Sequence, residues 1–364
     1  MPDLLKNIYN RESIYKLASD IQSAYAPFLA DEFLKSTMDE AWDALELKNR
    51  LYKISVTLGK YLPADYSAAI GVIDKVVMNY GSWLEGFCGF FPLFVEVYGQ
   101  DEKNWDISIA ALARYTQYAS SELAVRPFII NHEQRMMAQM YEWSKDESEH
   151  VRRLASEGCR PQLPWGQALT NFKKDPSPVL PILTQLKTDP SPHVRKSVAN
   201  NLNDISKTHP DLVAELVRSW YGKNEHTDWI IKHGCRTLLK EGHRDVLALF
   251  GFHEVTSIAV EAFTLGSSSI SVGEDITFSF VILTKAPTKV RLEYGIDYVK
   301  ASGKRNRKIF QISEISLKEN AKRHYMKNHS FADLSTRKHY SGTHSITLIV
   351  NGAARGTLDF ELNA

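Results

Sequence analysis

The stretch DPSPHVRKSVANNLNDI, residues 189–205, decides the fold. Val194, Val198, Leu202 and Ile205 recur at helical spacing, so the segment is predicted to be a helix with one buried stripe. Its last two turns nonetheless hold Asn200, Asn201, Asn203 and Asp204, residues that compete with helical backbone for hydrogen bonds. At 100° per residue, Ser197, Asn200 and Asp204 fall together on a polar flank beside the stripe. Two explanations compete: Asn203 and Asp204 end the helix, or the flank lines a cleft.

The stretch has two counterparts. DESEHVRRLASEGCR (146–160) and NEHTDWIIKHGCRTLL (224–239) align with it on Val151, Val194 and Ile231. Each opens with Asp or Asn and a turn, and each is followed by a second helical segment. Helix pairs recurring at about 40 residues predict a HEAT-type array, in which stacked repeats bury a shared core and present a concave face. In this register Glu157 stands where Asn200 stands one repeat later. Arg152, Arg195 and Lys232 each follow the register residue, one cation per repeat. Such a ladder can meet successive phosphates; an arginine there can equally bond the aspartate of a repeat turn. Arg153, Arg160, His193 and Arg236 are further phosphate candidates.

Outward from the repeat, the chain is helical in period from its start to about residue 252. From VTSIAVEAF (255–263) onward the period drops to two, and β-branched and aromatic runs alternate with Gly, Asn and Ser turns. About seven short strands are expected in 253–364, the scale of an immunoglobulin-like sandwich. The expected fold is therefore a HEAT-like α-α superhelix over 1–252 followed by a β-sandwich over 253–364. The motif SGKRNRK (302–308) places Lys304, Arg305, Arg307 and Lys308 in an expected hairpin turn, as a phosphate or minor-groove contact.

Composition bounds the class. With 364 residues, 43% hydrophobic and 24% charged, the chain reads as an ordinary globular protein. No window reaches the ~18 apolar residues of a membrane span, and no basic segment precedes an apolar run, so a cytoplasmic protein is expected. Cys88, Cys159 and Cys235 are isolated, which argues against disulfides and zinc; no metal or cofactor is expected. Net charge is +1. Residues 1–144 carry 13 Lys/Arg against 19 Asp/Glu, whereas the centre and tail are mildly basic and suited to a polyanion. The chain lacks GxxxxGK[ST], a GxGxxG after a strand, HExxH and GxSxG, so nucleotide hydrolysis, dinucleotide redox chemistry and serine hydrolysis have no local support.

Two further residues bear on chemistry. Trp165, in RPQLPWGQAL, is expected to begin the second helix of its repeat, as a core residue or as an aromatic that stacks on a base or meets a cation. Glu122, in YASSELAVRPFII, follows two serines placed to cap the next helix.

The helix pairs, SSELAVRPF, SEGCRPQLPWG, DPSPHVRKSVANNLNDISK and the all-β tail together make the chain resemble the AlkC type of bacterial HEAT-like 3-methyladenine DNA glycosylases, relatives of the AlkD type. The resemblance implies excision of cationic N-alkylated bases, 3-methyladenine and 3-methylcytosine, from duplex DNA without a deep base pocket. It implies Glu122, Glu157 and Asp204 as the acidic group, Trp165 as the aromatic facing the lesion, and an immunoglobulin-like domain that helps grip DNA. Asn200 departs from a uniform acidic row. No lysine adjoins that row in the sequence reading, so strand cleavage through a Schiff base is not expected. The expected partner is double-stranded DNA with an alkylated base or abasic site, bound by a monomer. The competing reading is a non-enzymatic HEAT-repeat scaffold for DNA or protein.

Overall fold

The computed structural model describes residues 4–80, 88–253, 257–334 and 337–364. Among these, sixteen α-helices precede eight strands. The helices are α1 (Arg11–Ala24), α2 (Ala30–Thr37), α3 (Leu47–Tyr61), α4 (Tyr66–Val77), α5 (Phe90–Tyr98), α6 (Trp105–Tyr115), α7 (Arg126–Asn131) and α8 (Glu133–Trp143). They continue as α9 (Glu149–Glu157), α10 (Thr170–Lys174), α11 (Leu180–Leu186), α12 (Pro192–Ser206), α13 (Pro210–Trp220), α14 (Glu225–Gly234), α15 (Arg236–Lys240) and α16 (Arg244–Leu249). Contacts divide the chain into two units, Met1–Thr208 with Gly222–Gly234, and His209–Tyr221 with Cys235–Ala364. Thus α13, α15 and α16, counted with the solenoid from sequence, cluster with the strands.

In the first unit the repeat is built on three equivalent turns. Asp146 Oδ1 accepts from the Ser148 amide at 2.8 Å, Asp189 Oδ1 from Ser191 at 2.8 Å, and Asn224 Oδ1 from His226 at 2.9 Å. Each turn starts a helix, and Pro192 at the first position of α12 loses no helical bond. The register residues Val151, Val194 and Ile231 are all buried, and α12 packs on both α9 and α14. Gly234 makes the second contact close: a Cβ there would lie 3.1 Å from Leu202 Cβ.

The polar end of α12 proves to be interior rather than a frayed terminus. The helix runs on to Ser206, and Asn201, Asn203 and Asp204 are buried. Asn201 Nδ2 donates to the Ser156 carbonyl at 2.8 Å, and Ser197 Oγ donates to Ser156 Oγ at 3.0 Å. Those bonds join α12 to α9 and satisfy most of what burial would otherwise leave unpaired.

The second unit is a two-sheet sandwich with three helices. Its strands are β1 (Ile258–Leu265), β2 (Ser269–Ser271), β3 (Asp275–Thr284), β4 (Thr288–Val299), β5 (Arg305–Leu317), β6 (Lys322–Ser330), β7 (Gly342–Val350) and β8 (Ala353–Asn363). One sheet has the order β1-β3-β6, the other β2-β8-β7-β4-β5, and only β2–β8 is parallel. Alternate residues Phe278, Phe280, Ile282, Leu292, Ile296, Ile346, Leu348 and Phe360 fill the space between the sheets. At one rim Gly242 (φ 76°) and Gly352 (φ 79°) meet, where a Cβ on Gly242 would stand 3.0 Å from the Gly352 carbonyl. Lys289 Nζ donates to the Phe250 carbonyl at 2.7 Å, tying the end of α16 to β4.

Sequence periodicity missed β6. Its residues, KRHYMKNHS, are mostly exposed because it is an edge strand, so no apolar alternation marks it. Two residues of β6 turn inward: Tyr325 stacks on Phe280, and His329 lies between Tyr294 and Tyr298, whose hydroxyls meet its ring nitrogens at 2.9 and 2.5 Å.

Candidate functional site

The three acids expected from sequence lie on two helices and a turn of the first unit. Glu157 is the last residue of α9, Asp204 lies in the last turn of α12, and Glu122 sits in the turn before α7. Glu157 and Asp204 meet through one guanidinium. Arg160 NH1 donates to Glu157 Oε1 at 2.6 Å and Arg160 Nε to Asp204 Oδ2 at 2.8 Å, with all three residues buried. Burial pulls against the charge on Arg160, but the two carboxylates outweigh it and hold the guanidinium above its ordinary pKa. Arg160 is therefore an internal clamp, not the phosphate contact expected from sequence.

Glu122 has its own holder. Arg153 NH2 lies 2.8 Å from Glu122 Oε2, Ser120 Oγ donates to the same oxygen at 2.7 Å, and Arg153 NH1 donates to Ser120 Oγ at 3.1 Å. Arg153 also stands 3.9 Å from Glu157 Oε1, so it spans the row. Neither serine caps α7 as expected: Ser121 Oγ donates to the Leu112 carbonyl at 2.9 Å, and Ser120 orients the carboxylate. Lys207 closes the row with Nζ 3.0 Å from Asp204 Oδ1. Its position corrects the expectation that no lysine adjoins the acids; three residues beyond Asp204, it lies one helical turn away. The row thus alternates Arg153, Arg160 and Lys207 with the three acids, which permits negative charge to gather at low self-repulsion.

Trp165 does not begin a helix. It sits in the turn preceding α10 with φ at 65° and its surface 67% exposed. A bulky residue in the left-handed region costs on the order of 1–3 kcal/mol and persists only where neighbours over-determine it. Lys48 Nζ donates to the Trp165 carbonyl at 2.7 Å, which supplies part of that restraint. Trp165 and Glu122 both line an open cleft of about 630 Å³, with Lys48, Tyr52, Glu96 and Arg126 among its walls. Burial pushes the Glu96 carboxyl up to about 7, and no motif pointed to that residue.

The expected phosphate ladder is mostly structural. Arg152 grips Asp189 through Nε at 2.7 Å and NH2 at 3.2 Å, and its NH1 donates to the carbonyls of Asp146 and Glu147. Arg195 NH1 donates to the carbonyls of Asp189 and Pro190 at 2.9 and 2.7 Å. Both arginines close the turn before their own helix, so both are corrected from phosphate contacts to turn clamps. Lys232 on α14 and Arg236 on α15 are half-buried. His193 stacks edge-on against His150 at 6.0 Å.

In the sandwich only Lys304 of the basic motif lies in the β4–β5 turn, where Gly303 adopts φ 74°. Arg305 donates to Ser345 Oγ and the Thr343 carbonyl, and Arg307 forks onto Asp297 at 2.9 and 2.6 Å. Lys304 and Lys308 are exposed. Among the described residues no helix is long and apolar enough to cross a membrane, and no group of three His, Cys, Asp or Glu could hold a metal ion.

This combination, paired helices with a buried acid–arginine row and an immunoglobulin-like tail, defines a class. Residues 102–238 match the model of a family described as "DNA alkylation repair enzyme", and residues 259–364 match the model described as "Uncharacterised protein YhaZ, C-terminal Ig-like domain". The chain is 46% identical over 359 residues to the uncharacterized protein YhaZ of Bacillus subtilis (strain 168), covering 98% of this chain and 99% of that protein. Its structure is similar to that of Pseudomonas fluorescens alkylpurine DNA glycosylase AlkC bound to DNA containing an abasic site analog, with a TM-score of 0.94 and 38% identity over 100% of both chains. The chain belongs to the DNA alkylation repair enzyme family, in its AlkC type.

Proposed function

We propose that the protein is a base-excision DNA glycosylase that hydrolyses the N-glycosidic bond of cationic N-alkylated bases, 3-methyladenine and 3-methylcytosine, in duplex DNA without deep base flipping. The observation that carries the reading is the placement of Glu122 and Trp165 on one open cleft, backed by Glu157 and Asp204, in a chain so similar to a glycosylase solved on abasic-site DNA.

The chemistry follows from charge. An N3-alkylated base already carries a positive charge, so the glycosidic electron pair leaves with it and no general acid is needed. Positive charge then develops on the deoxyribose, an oxocarbenium-like state that carboxylates stabilise. Water adds its oxygen to C1′ as the C1′–N bond breaks; the base departs neutral and the water proton passes to a carboxylate. Glu122 suits that last role because it lines the cleft that Trp165 also lines, whereas Glu157 and Asp204 are buried and supply the field. Trp165, exposed at the lip, offers its face to a cationic nucleotide.

We assign the helical region as catalytic and the sandwich as an accessory DNA contact through Lys304 and Lys308, with the protein acting as a cytoplasmic monomer and without strand cleavage. The test is mass-spectrometric identification of bases released from methylated DNA. Release of 3-methyladenine and 3-methylcytosine by the wild type, lost in Asp204→Asn, is expected; no release of either, with binding to abasic-site DNA absent at low salt, would favour the scaffold.

A further inference from the structure

Among the described charged residues of the first unit, Arg126 at 1% exposure is the most deeply buried, and SSELAVRPF, in which it lies, gave it no role. Its hydrogen bonds go to backbone rather than to a carboxylate. Nε donates to the Gln167 carbonyl at 2.5 Å, and NH1 donates to the carbonyls of Gly158 at 2.9 Å and Arg160 at 3.0 Å. The second terminal nitrogen, NH2, is buried and has no hydrogen-bond partner. Burial lowers the group to about 10, so the fold pays to keep this cation where it is.

What the fork joins gives the reason. Arg126 is the first residue of α7 and follows the Glu122 turn by four positions. Gly158 directly follows Glu157. Arg160 is the clamp on Glu157 and Asp204. Gln167 is two residues beyond Trp165, and between them Gly166 lies flat against the fork, where a Cβ would come within 3.2 Å of Arg126 Cδ and Nε. Burial lowers Arg126, and the carboxylates of Glu122 and Asp204 are near enough to pull it the other way. Three segments that carry the site residues are therefore pinned to one planar, rigid group.

We propose that Arg126 is the positioning residue of the site: its guanidinium fixes the left-handed turn that presents Trp165 and holds that turn in register with the carboxylates. This inference rests on the glycosylase reading for its effect on rate, but not for its effect on the geometry of Trp165. A lysine at 126 keeps the charge yet cannot span three carbonyls, and Gly166→Ala crowds the fork without touching an acid.

The experiment compares Arg126→Lys, Arg126→Ala and Gly166→Ala with the wild type in melting temperature, affinity for duplex DNA with an abasic-site analogue, and single-turnover release of 3-methyladenine. Acrylamide quenching of Trp165, taken as the difference from a Trp165→Phe background, is measured alongside. Expected for Arg126→Lys and Gly166→Ala is a loss of rate on the order of 100-fold with affinity falling no further than in Trp165→Ala, because misplacement of about 1 Å acts on the reacting geometry. Quenching of Trp165 rises in the same two variants, and methylguanidinium restores part of the rate of Arg126→Ala. Should Arg126→Ala not fold, the other two carry the comparison. Wild-type rates and quenching in both, or a rate loss that only follows melting temperature and affinity, would overturn the proposal. Absence of base release by the wild type overturns the glycosylase reading alone, and the quenching difference then decides the positioning role by itself.

Discussion

Arg160 donates Nε to Asp204 at 2.8 Å from three residues beyond Glu157, past the end of α9, so a single buried cation serves acids from two neighbouring repeats. Removing it leaves Glu157 to Arg153 at 3.9 Å and Asp204 to Lys207 at 3.0 Å, with the hydrogen bonds that joined the two acids lost. Arg160→Gln is expected to lower unfolding stability by about 3–5 kcal/mol, the usual consequence of breaking a buried pair from one side. Denaturant titration reads the loss; a change below about 1 kcal/mol would mean the pairing is dispensable.

The acids should act on rate more than on binding. Glu122→Gln, Glu157→Gln and Asp204→Asn keep shape but discard charge, and each is expected to slow single-turnover base release by on the order of 10²–10³-fold. Affinity for abasic-site DNA should change far less. Release at the wild-type rate by Glu157→Gln and Asp204→Asn together would remove the acid assignment.

Trp165 offers a cleaner separation, because its side chain is exposed and contributes little to the core. Trp165→Ala should leave the melting temperature near wild type, while DNA affinity falls by about 1–3 kcal/mol if the ring stacks on the nucleotide. A melting point that drops with unchanged affinity would return the residue to a structural role.

Lys207 bears on strand cleavage. Its Nζ is paired with Asp204 at 3.0 Å, whereas a Schiff base requires a lysine nitrogen that reaches the sugar carbon. Borohydride reduction of the protein with abasic-site DNA should yield no covalent adduct, and an adduct that vanishes in Lys207→Ala would identify a lyase.

Burial depresses two imidazoles to about 4, His193 in the first unit and His329 in the sandwich, so both units should be acid-sensitive. Burial, helped by Arg337 and His339, depresses the His329 imidazole to about 4 from an ordinary 6.5. A depressed group binds its proton more readily when unfolded, so stability is present above 6.5 and is lost as pH falls toward 4. At pH 5 that linkage is about 2 kcal/mol. Melting followed between pH 7 and 5 should show the drop, and His329→Phe should remove the share that His329 contributes while that of His193 persists.

Much of this molecule was legible in the sequence, for a physical reason. The repeat is written in periodic apolar positions and in Asp146, Asp189 and Asn224, whose turns are local. Register set Glu157 level with Asn200, on the flank that Asp204 shares, while Glu122 and the grouping of the three acids came from the resemblance to the AlkC type. What escaped depends on distant contacts. Arg126 looks like an ordinary helix-start arginine until its three carbonyls, 32 to 41 residues away, are seen. Arg152 and Arg195 offered two meanings, and only the folded turns chose between them. The left-handed backbone of Trp165 and the polar edge strand β6 carry no periodic signal at all.

The bond from Asn201 to the Ser156 carbonyl has a further consequence. Apolar ridges tolerate sliding, because one methyl group serves nearly as well as the next. A buried amide does not; it finds its acceptor in one alignment and is left unsatisfied in the others. A slip of a single turn would carry Asp204 about 5.4 Å along the helix and out of reach of Arg160. The polar end of α12 is in this sense a detent: it trades some burial energy for a stack that can stop in one place only.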